Sequence, residues 1–373
     1  MKKIINKLKK FFTKIMAPVF AKSFFKKPDQ IKAVAIVLFG GLGDGVLWIQ
    51  YANQIIKHYE EMGYKIYLIC NKSLEQLYKN YTNFNNIIVV NNNLFNSMKD
   101  LKNALKEINS VYFEEIIDIR LTKEKSQDLY LIKHSKAKYK TGYFENFEDK
   151  KDIKLQNSLF NKLITIPSDQ HEINNHYCFL KNIGIEIEQD LFYLKKFVNI
   201  RENQDYITVC VGASDPKRMW DVNNWIQVIK YILDNSNYKI YFCGAKQEEY
   251  VYNIINDNVK DERLINKCGK TTLQELIDLL GNSKFVLAND SGPGHIASSV
   301  GAKGLILLGG GYNFRFFPHK NIKNETTEIR VVCKQDKCWN CSWGCTKSKT
   351  DFPCMKQITA EMIISELSNF IKD

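Results

Sequence analysis

The chain has 373 residues, 45% of them hydrophobic and 25% charged, which is enough for two domains of ordinary size with separate cores. Its formal charge of +12 is unevenly spread: residues 1–28 hold nine Lys and no acid, so the remainder is only about +3. With so little excess charge in the body, and no basic module interleaved with aromatics, nucleic acid is excluded as a main partner.

In chain order, residues 1–28 come first. Apolar residues at 4, 5, 8, 11, 12, 15, 16, 19 and 20 form a helical stripe with Lys between them. The longest apolar run, Ile15 to Ala21, is too short to span a bilayer, and Lys22 follows at once, which argues against a cleaved signal peptide. The segment reads as a basic amphipathic helix lying on an anionic membrane surface; a helix packed on the protein body is the alternative.

Val34 to Phe39 is an apolar run of strand length, followed by Gly40-Gly-Leu-Gly-Asp-Gly45 and an amphipathic stretch with Val46, Leu47, Ile49, Ala52, Ile55 and Ile56. A dinucleotide fingerprint is not met. Counting G-x-G from Gly41 puts Val46 where a small residue belongs, and the next strand, Lys65 to Cys70, ends in Asn71-Lys72 without an acid for a ribose. What remains is a carboxylate, Asp44, at the C-terminal end of a first parallel strand, where open α/β sheets place ligands. A helix N-cap is the plainer role for it. Glu115 to Arg120 is a further strand that runs into a Lys-rich stretch. His171-Glu-Ile-Asn-Asn-His176 is one residue too long for a helical zinc pair. The first domain is expected over residues 29–190 and an interdomain connection over 191–205.

The second half, residues 206–373, repeats the pattern three times. Tyr206 to Val211 leads into Gly212-Ala-Ser-Asp-Pro-Lys-Arg-Met-Trp220, where small residues leave room, Ser214 offers a hydroxyl, and Lys217 and Arg218 bring positive charge. Lys239 to Cys243 leads into Gly244-Ala-Lys-Gln-Glu-Glu249. Lys284 to Ala288 leads into Asn289-Asp-Ser-Gly-Pro-Gly-His295 and then the helical Ile296 to Val300. This last turn aims backbone N–H groups and a helix dipole at one point, a seat for phosphate, with Asp290 and His295 as an acceptor and a switchable donor.

Ten cysteines are divided unevenly. Cys70, Cys178, Cys210, Cys243 and Cys268 are scattered in apolar contexts and read as small buried hydrophobes. Cys333, Cys338, Cys341, Cys345 and Cys354 crowd into the segment 333–354. Cys338-Trp-Asn-Cys341 is a C-x-x-C pair that Cys345 and Cys354 could complete as a four-thiolate zinc or iron site; reduced free thiols are the alternative. A disulfide cluster would need an oxidising compartment.

Gly-Asp near the start, Gly-Ala-Ser with Lys-Arg-x-Trp in mid-chain, Gly-x-x-x-Glu, then Asn-Asp-Ser-Gly-Pro-x-His: in this order the motifs resemble the ADP-heptose glycosyltransferases, family 9 of the glycosyltransferases. The resemblance runs from about Ile31 to Ile364. Each motif is weak singly, and four in order are specific. It implies an α/β protein of GT-B fold, two Rossmann-like domains with parallel sheets facing a cleft, the N-terminal one binding acceptor and the C-terminal one donor. The implied chemistry is inverting transfer of a heptose or related sugar from an ADP-sugar, with Asp44 as general base. Gly43, Arg120 and Lys123 are candidates for the acceptor, with solvated charge as the plainer role for the last two. Ala213, Ser214, Arg218, Glu248 (on a ribose hydroxyl), Asp290, Ser291, Gly292 and His295 are candidates for the donor, helped by backbone N–H groups of residues 292–295. Arg218 stands where the family usually has Lys, a planar fork in place of a point charge.

No D-x-D is present, so a metal-dependent GT-A transferase is not expected and no cofactor is required for transfer. A zinc or iron at the cysteines would be structural. The implied partners are a nucleotide-sugar donor, a glycolipid acceptor of the lipopolysaccharide core type and the anionic inner-membrane surface, for a cytoplasmic enzyme held peripherally on that face. Two alternatives remain. One is a protein O-heptosyltransferase of the autotransporter-modifying kind, which the cysteines favour, although Asp44 lies too near the start to leave room for a large preceding domain. The other is a non-catalytic sugar-nucleotide-binding scaffold.

Overall fold

The computed structural model describes residues 32–92, 94–120, 127–145, 150–167, 171–201, 205–345 and 352–371. The basic segment 1–28 and Lys123 lie outside them. Two compact units account for the chain: residues 1–168 with 175–188, and residues 169–174 with 189–373. The stretch read as the interdomain connection, 191–205, groups with the second unit. The Leu194 N–H donates to Ser299 Oγ at 3.2 Å, and Asn199 gives Asp278 both its backbone N–H at 2.9 Å and its side-chain amide at 3.0 Å.

Each unit is built on six parallel strands. In the first they are β1 (Ala33–Leu38), β2 (Lys65–Asn71), β3 (Asn86–Val90), β4 (Phe113–Asp118), β5 (Ala137–Tyr143) and β6 (Lys162–Ile164), in the order β3-β2-β1-β4-β5-β6. In the second they are β7 (Tyr206–Cys210), β8 (Lys239–Phe242), β9 (Leu264–Asn266), β10 (Phe285–Asn289), β11 (Gly304–Leu307) and β12 (Ile329–Val332), in the order β12-β11-β10-β7-β8-β9. Counted from its own first strand, each sheet has the same doubly wound order, so the strand sequence reverses between β1 and β4 and again between β7 and β10. Ligands of such sheets bind at the carboxyl ends of the strands flanking that reversal.

Burial explains why the central strands read as unbroken apolar runs. All of β1, β7 and β10 is covered, as parallel strands with helices on both faces must be. The helix Leu42–Glu61 buries Val46, Leu47, Ile49, Ala52, Ile55 and Ile56, the stripe seen in the sequence. Gly45 brings that helix close to its neighbour: a Cβ there would fall 2.6 Å from Leu74 and 2.9 Å from Leu77. The second core gathers Trp225, Val228, Phe242, Leu287 and Leu305 beneath the helix Val222–Asn235. No helix among the described residues is long and apolar enough to cross a membrane.

Candidate active site

In the first unit, β1 ends in the turn that carries Asp44. The helix Leu42–Glu61 begins after Gly41, and Asp44 occupies its third position, where Oδ2 accepts the Gly41 N–H at 2.7 Å. The carboxylate therefore caps from the third helical position, reaching back to the Gly41 N–H, rather than acting as the N-cap residue itself. Asp44 is exposed, and Gly43 lies half-buried in the same first turn.

The turn is pinned by a residue the sequence reading passed over. Asn71, at the end of β2, accepts the Gly40 N–H at 3.1 Å and donates to the Gly40 carbonyl at 2.9 Å, and the Ser73 hydroxyl donates to that carbonyl at 3.1 Å. A side-chain amide thus satisfies both backbone polar groups of one residue, as a neighbouring strand would. Asp118 was also missed. It ends β4 opposite Val37 of β1, is fully buried, and accepts the Arg120 N–H at 3.2 Å. Arg120 lies two residues beyond the strand and is half-buried.

The second unit brings most of the candidate donor residues together. The turn after β7 packs on the turn after β10 through Arg218. Nη2 donates to Ser214 Oγ at 3.0 Å and Nη1 to the Asp290 carbonyl at 3.3 Å, while Nη1 lies 3.7 Å from Asp290 Oδ1. Asn289 ties the same two strand ends by donating to the Val211 carbonyl at 2.6 Å. Ala213 and Ser214 are half-buried and exposed, whereas Asp290 and Ser291 are buried. Arg218 Nε, Asn289 Oδ1 and Ser291 Oγ are buried without a protein hydrogen-bond partner. Buried polar atoms are nearly always satisfied by protein, water or ligand, so these three leave hydrogen-bonding capacity in one small region for a bound molecule or solvent.

Glu248 belongs to this region too. Its Oε2 accepts the Ala245 N–H at 2.9 Å, and its carboxylate lies against Gly212, where a Cβ would fall 1.8 Å from it. Burial pushes its carboxyl above the usual range, against the lowering effect of the Ala245 bond.

Two expectations for the turn after β10 need correction. Pro293 has no N–H, and the His295 N–H donates to the Ser291 carbonyl at 3.2 Å, so within 292–295 the backbone contribution falls to Gly292 and Gly294. His295 is not a switchable donor. It is 5% exposed, and burial, then the nearby Arg218 cation, hold it well below the ordinary imidazole value, so it stays neutral.

Cys338, Cys341, Cys345 and Cys354 line one cavity with Gly310, Trp339 and Trp343. The cysteine-rich segment docks on Gly309-Gly-Gly311 after β11. A Cβ at Gly311 would lie 2.2 Å from the Trp343 ring, and one at Gly310 would lie 2.8 Å from that of Trp339. Asn340 and Ser342 donate backbone N–H groups to Gly310 and Gly311, each at 2.7 Å. Lys217 Nζ donates to the Trp343 carbonyl at 3.0 Å, which fastens the segment to the Ser214–Arg218 turn. The donor set suits a thiophilic ion chemically, yet among the described residues no group of three or more His, Cys, Asp or Glu is disposed to hold a metal. Of the scattered cysteines, Cys70, Cys210, Cys243 and Cys268 are buried as expected. Cys178, on the helix Glu172–Asn182, is only partly so.

Two doubly wound units in one chain, each with polar residues gathered at its strand reversal, define a paired Rossmann-like α/β protein. The model of glycosyltransferase family 9 (heptosyltransferase) matches residues 153–343, just over half of the sequence, and the chain belongs to that family. The lipopolysaccharide core heptosyltransferase OpsX of Haemophilus influenzae is 27% identical over 201 residues, 51% of this chain and 56% of that protein. The match thus spans little more than half the length of that relative. Among solved structures, the Escherichia coli ADP-heptose lps heptosyltransferase II has a TM-score of 0.65 at 14% identity, covering 91% of this chain and 98% of its own. The E. coli heptosyltransferase WaaC with ADP-2-deoxy-2-fluoro heptose has a TM-score of 0.65 at 15% identity, covering 90% and 99%. At such identities the likeness establishes the fold, which is GT-B.

Proposed function

We propose that the protein transfers a heptose or closely related sugar from an ADP-sugar to a lipopolysaccharide core or related glycan acceptor, with inversion at the anomeric carbon. The observation that carries this reading is the convergence of Ser214, Arg218, Asp290 and Ser291 at the ends of β7 and β10, with buried polar atoms that no protein group satisfies. Arg218 offsets the charge that grows on the departing diphosphate, and the Gly292 and Gly294 N–H groups and His295 stabilise it by hydrogen bonding. Asp44, exposed on its turn, accepts the proton of the acceptor hydroxyl as the new C–O bond forms and the C–O bond to the diphosphate breaks. Ala213 leaves room beside the phosphates and Glu248 takes a ribose hydroxyl. Gly43, Arg120 and Lys123 serve the acceptor. The named functions of the H. influenzae and E. coli proteins support the choice of sugar and acceptor.

The deciding experiment is a donor screen. ADP-heptose, UDP-hexoses, GDP-hexoses and ADP-hexoses are titrated by calorimetry and then assayed for turnover with a core acceptor. Binding and turnover confined to ADP-heptose support the proposal, preference for a uridine or guanosine donor refutes it, and binding without turnover on any acceptor leaves a scaffold. A second reading, transfer to protein, draws on the four cysteines around one cavity. It requires turnover on a polypeptide hydroxyl. In either reading the enzyme works on the cytoplasmic face of the inner membrane, held there by residues 1–28.

A further inference from the structure

His295 is the fourth residue of the helix Gly292–Val300, near enough to Arg218 to feel its charge, and its ring is fixed from two sides. It stacks on Phe317 with centroids 4.0 Å apart and planes at 19°. Its Nδ1 lies 2.9 Å from Nε2 of His319, a residue 24 positions downstream that is 1% exposed. The segment bearing His319 is braced in turn. Thr327 N–H donates to the His319 carbonyl at 3.3 Å, and Arg315 holds Glu172 through Nε at 2.7 Å and Nη2 at 3.2 Å.

Burial drives both imidazoles toward their neutral forms, with Arg218 acting further on His295, and His295 and His171 on His319. Two neutral imidazoles joined nitrogen to nitrogen hold one proton between them, so one ring donates and the other accepts. The tautomer of His295 is therefore fixed by its partner. If His295 gave the proton, its Nε2 would be a bare lone pair, which phosphate oxygens repel. If it receives the proton, Nε2 carries N–H, the form an anionic oxygen can use without a buried cation.

We propose that His319 is a positioning residue: its Nε2–H donates to Nδ1 of His295 and holds that ring as the Nε2–H tautomer, so that the donor turn offers a neutral N–H to a diphosphate. This rests on the donor-seat reading above. It adds a residue that neither the sequence motifs nor the turn itself reveals.

The experiment uses the full chain labelled with ¹⁵N-histidine, two-bond imidazole spectra, and ADP as the probe ligand. His295, assigned by its loss in His295→Gln, is expected to be protonated at Nε2 and bare at Nδ1. A spectrum with the proton on Nδ1 overturns the proposal, and this reading needs no variant of His319 to fold. His319→Phe keeps a ring against Phe317 but no donor, and His319→Gln returns an N–H where Nε2 stood. Phe is expected to weaken ADP binding at least about tenfold and Gln to bring it within about threefold of the parent, the scale of one charge-assisted bond. Phe and Gln behaving alike overturns the positioning role. Arg218→Ala distinguishes the two readings. Unchanged ADP affinity in that variant refutes the donor seat, whereas weakened affinity there with none in His319→Phe refutes only the histidine pair.

Discussion

Arg218 joins the two strand ends that form the donor turn, so Arg218→Ala tests the site directly. Within the protein the substitution removes the bonds to Ser214 Oγ and the Asp290 carbonyl and a loose 3.7 Å ion pair. Two ordinary hydrogen bonds are worth about 0.5–1.5 kcal/mol each and a loose pair at most about 1, so the folded state should lose about 1–4 kcal/mol. For a domain of this size that is a fall of several degrees in unfolding temperature, not a failure to fold. Against an anionic ligand the loss is of a charge-assisted bond, about 1.5–3 kcal/mol, which is roughly a 10- to 150-fold rise in Kd. Arg218→Lys separates charge from shape. It keeps a cation but cannot reach Ser214 and Asp290 together, so its ADP affinity should fall between the other two. Calorimetric titration with ADP gives Kd, and a thermal melt of the same samples gives stability. A folded Arg218→Ala that binds ADP as the parent does would show that the diphosphate sits elsewhere.

Asp44→Asn should keep donor affinity while turnover falls by about 100-fold or more, because the amide oxygen can still accept the Gly41 N–H but takes no proton from an acceptor; turnover within a few-fold of the parent excludes it as base. Asn71→Ala should cost about 1–3 kcal/mol in urea unfolding and lower turnover with ADP affinity unchanged, since it frees both backbone polar groups of Gly40; equal stability would remove the pin from the mechanism. Elemental analysis of protein purified without chelator decides between the two states of the cysteines: about one zinc or iron per chain would make Cys338, Cys341, Cys345 and Cys354 a metal site, and metal-free protein of normal stability would leave them as reduced thiols. Deletion of residues 1–27 should abolish salt-sensitive sedimentation with anionic vesicles and spare turnover on a soluble acceptor, as several Lys at about 1 kcal/mol each imply; vesicle binding by the truncated chain refutes the anchor.

The features legible in the sequence are those written within a few residues. An apolar run, a glycine turn and a helix signature lie side by side in the chain, so β1, β7 and β10 and their turns could be read directly, and with them Asp44, Ser214, Arg218 and Asp290. Illegible were partners brought in by sheet order. Asn71 reaches Gly40 across 31 residues, and His319 reaches His295 across 24; neither spacing carries a local signature. Asp118 read as one polar letter in an apolar strand, and only its register opposite Val37 shows it beside the first turn. Gly309-Gly-Gly311 drew no notice in the sequence, since three glycines say nothing of what packs on them. Its glycines make way for Trp339 and Trp343, a requirement set by side chains some 30 residues away.

The two turns solve different problems with the same local device. At Asp44 a carboxylate must stay open to solvent and hold its direction, so it is exposed, and its own helix and Asn71 fix the backbone beneath it. At the turn after β10 the polar atoms are buried, and three of them lack protein partners at a cost of about 1–3 kcal/mol each. Hydrophobic side chains of similar size would make a more stable strand end. Retaining Arg218, Asn289 and Ser291 in that condition is reasonable only where a ligand rich in acceptors and hydroxyls returns the lost bonds, and the diphosphate and ribose of a nucleotide sugar carry both. The proposed single displacement would use both turns: an exposed carboxylate could reach an incoming hydroxyl, while a desolvated polar turn could hold a departing anion away from water.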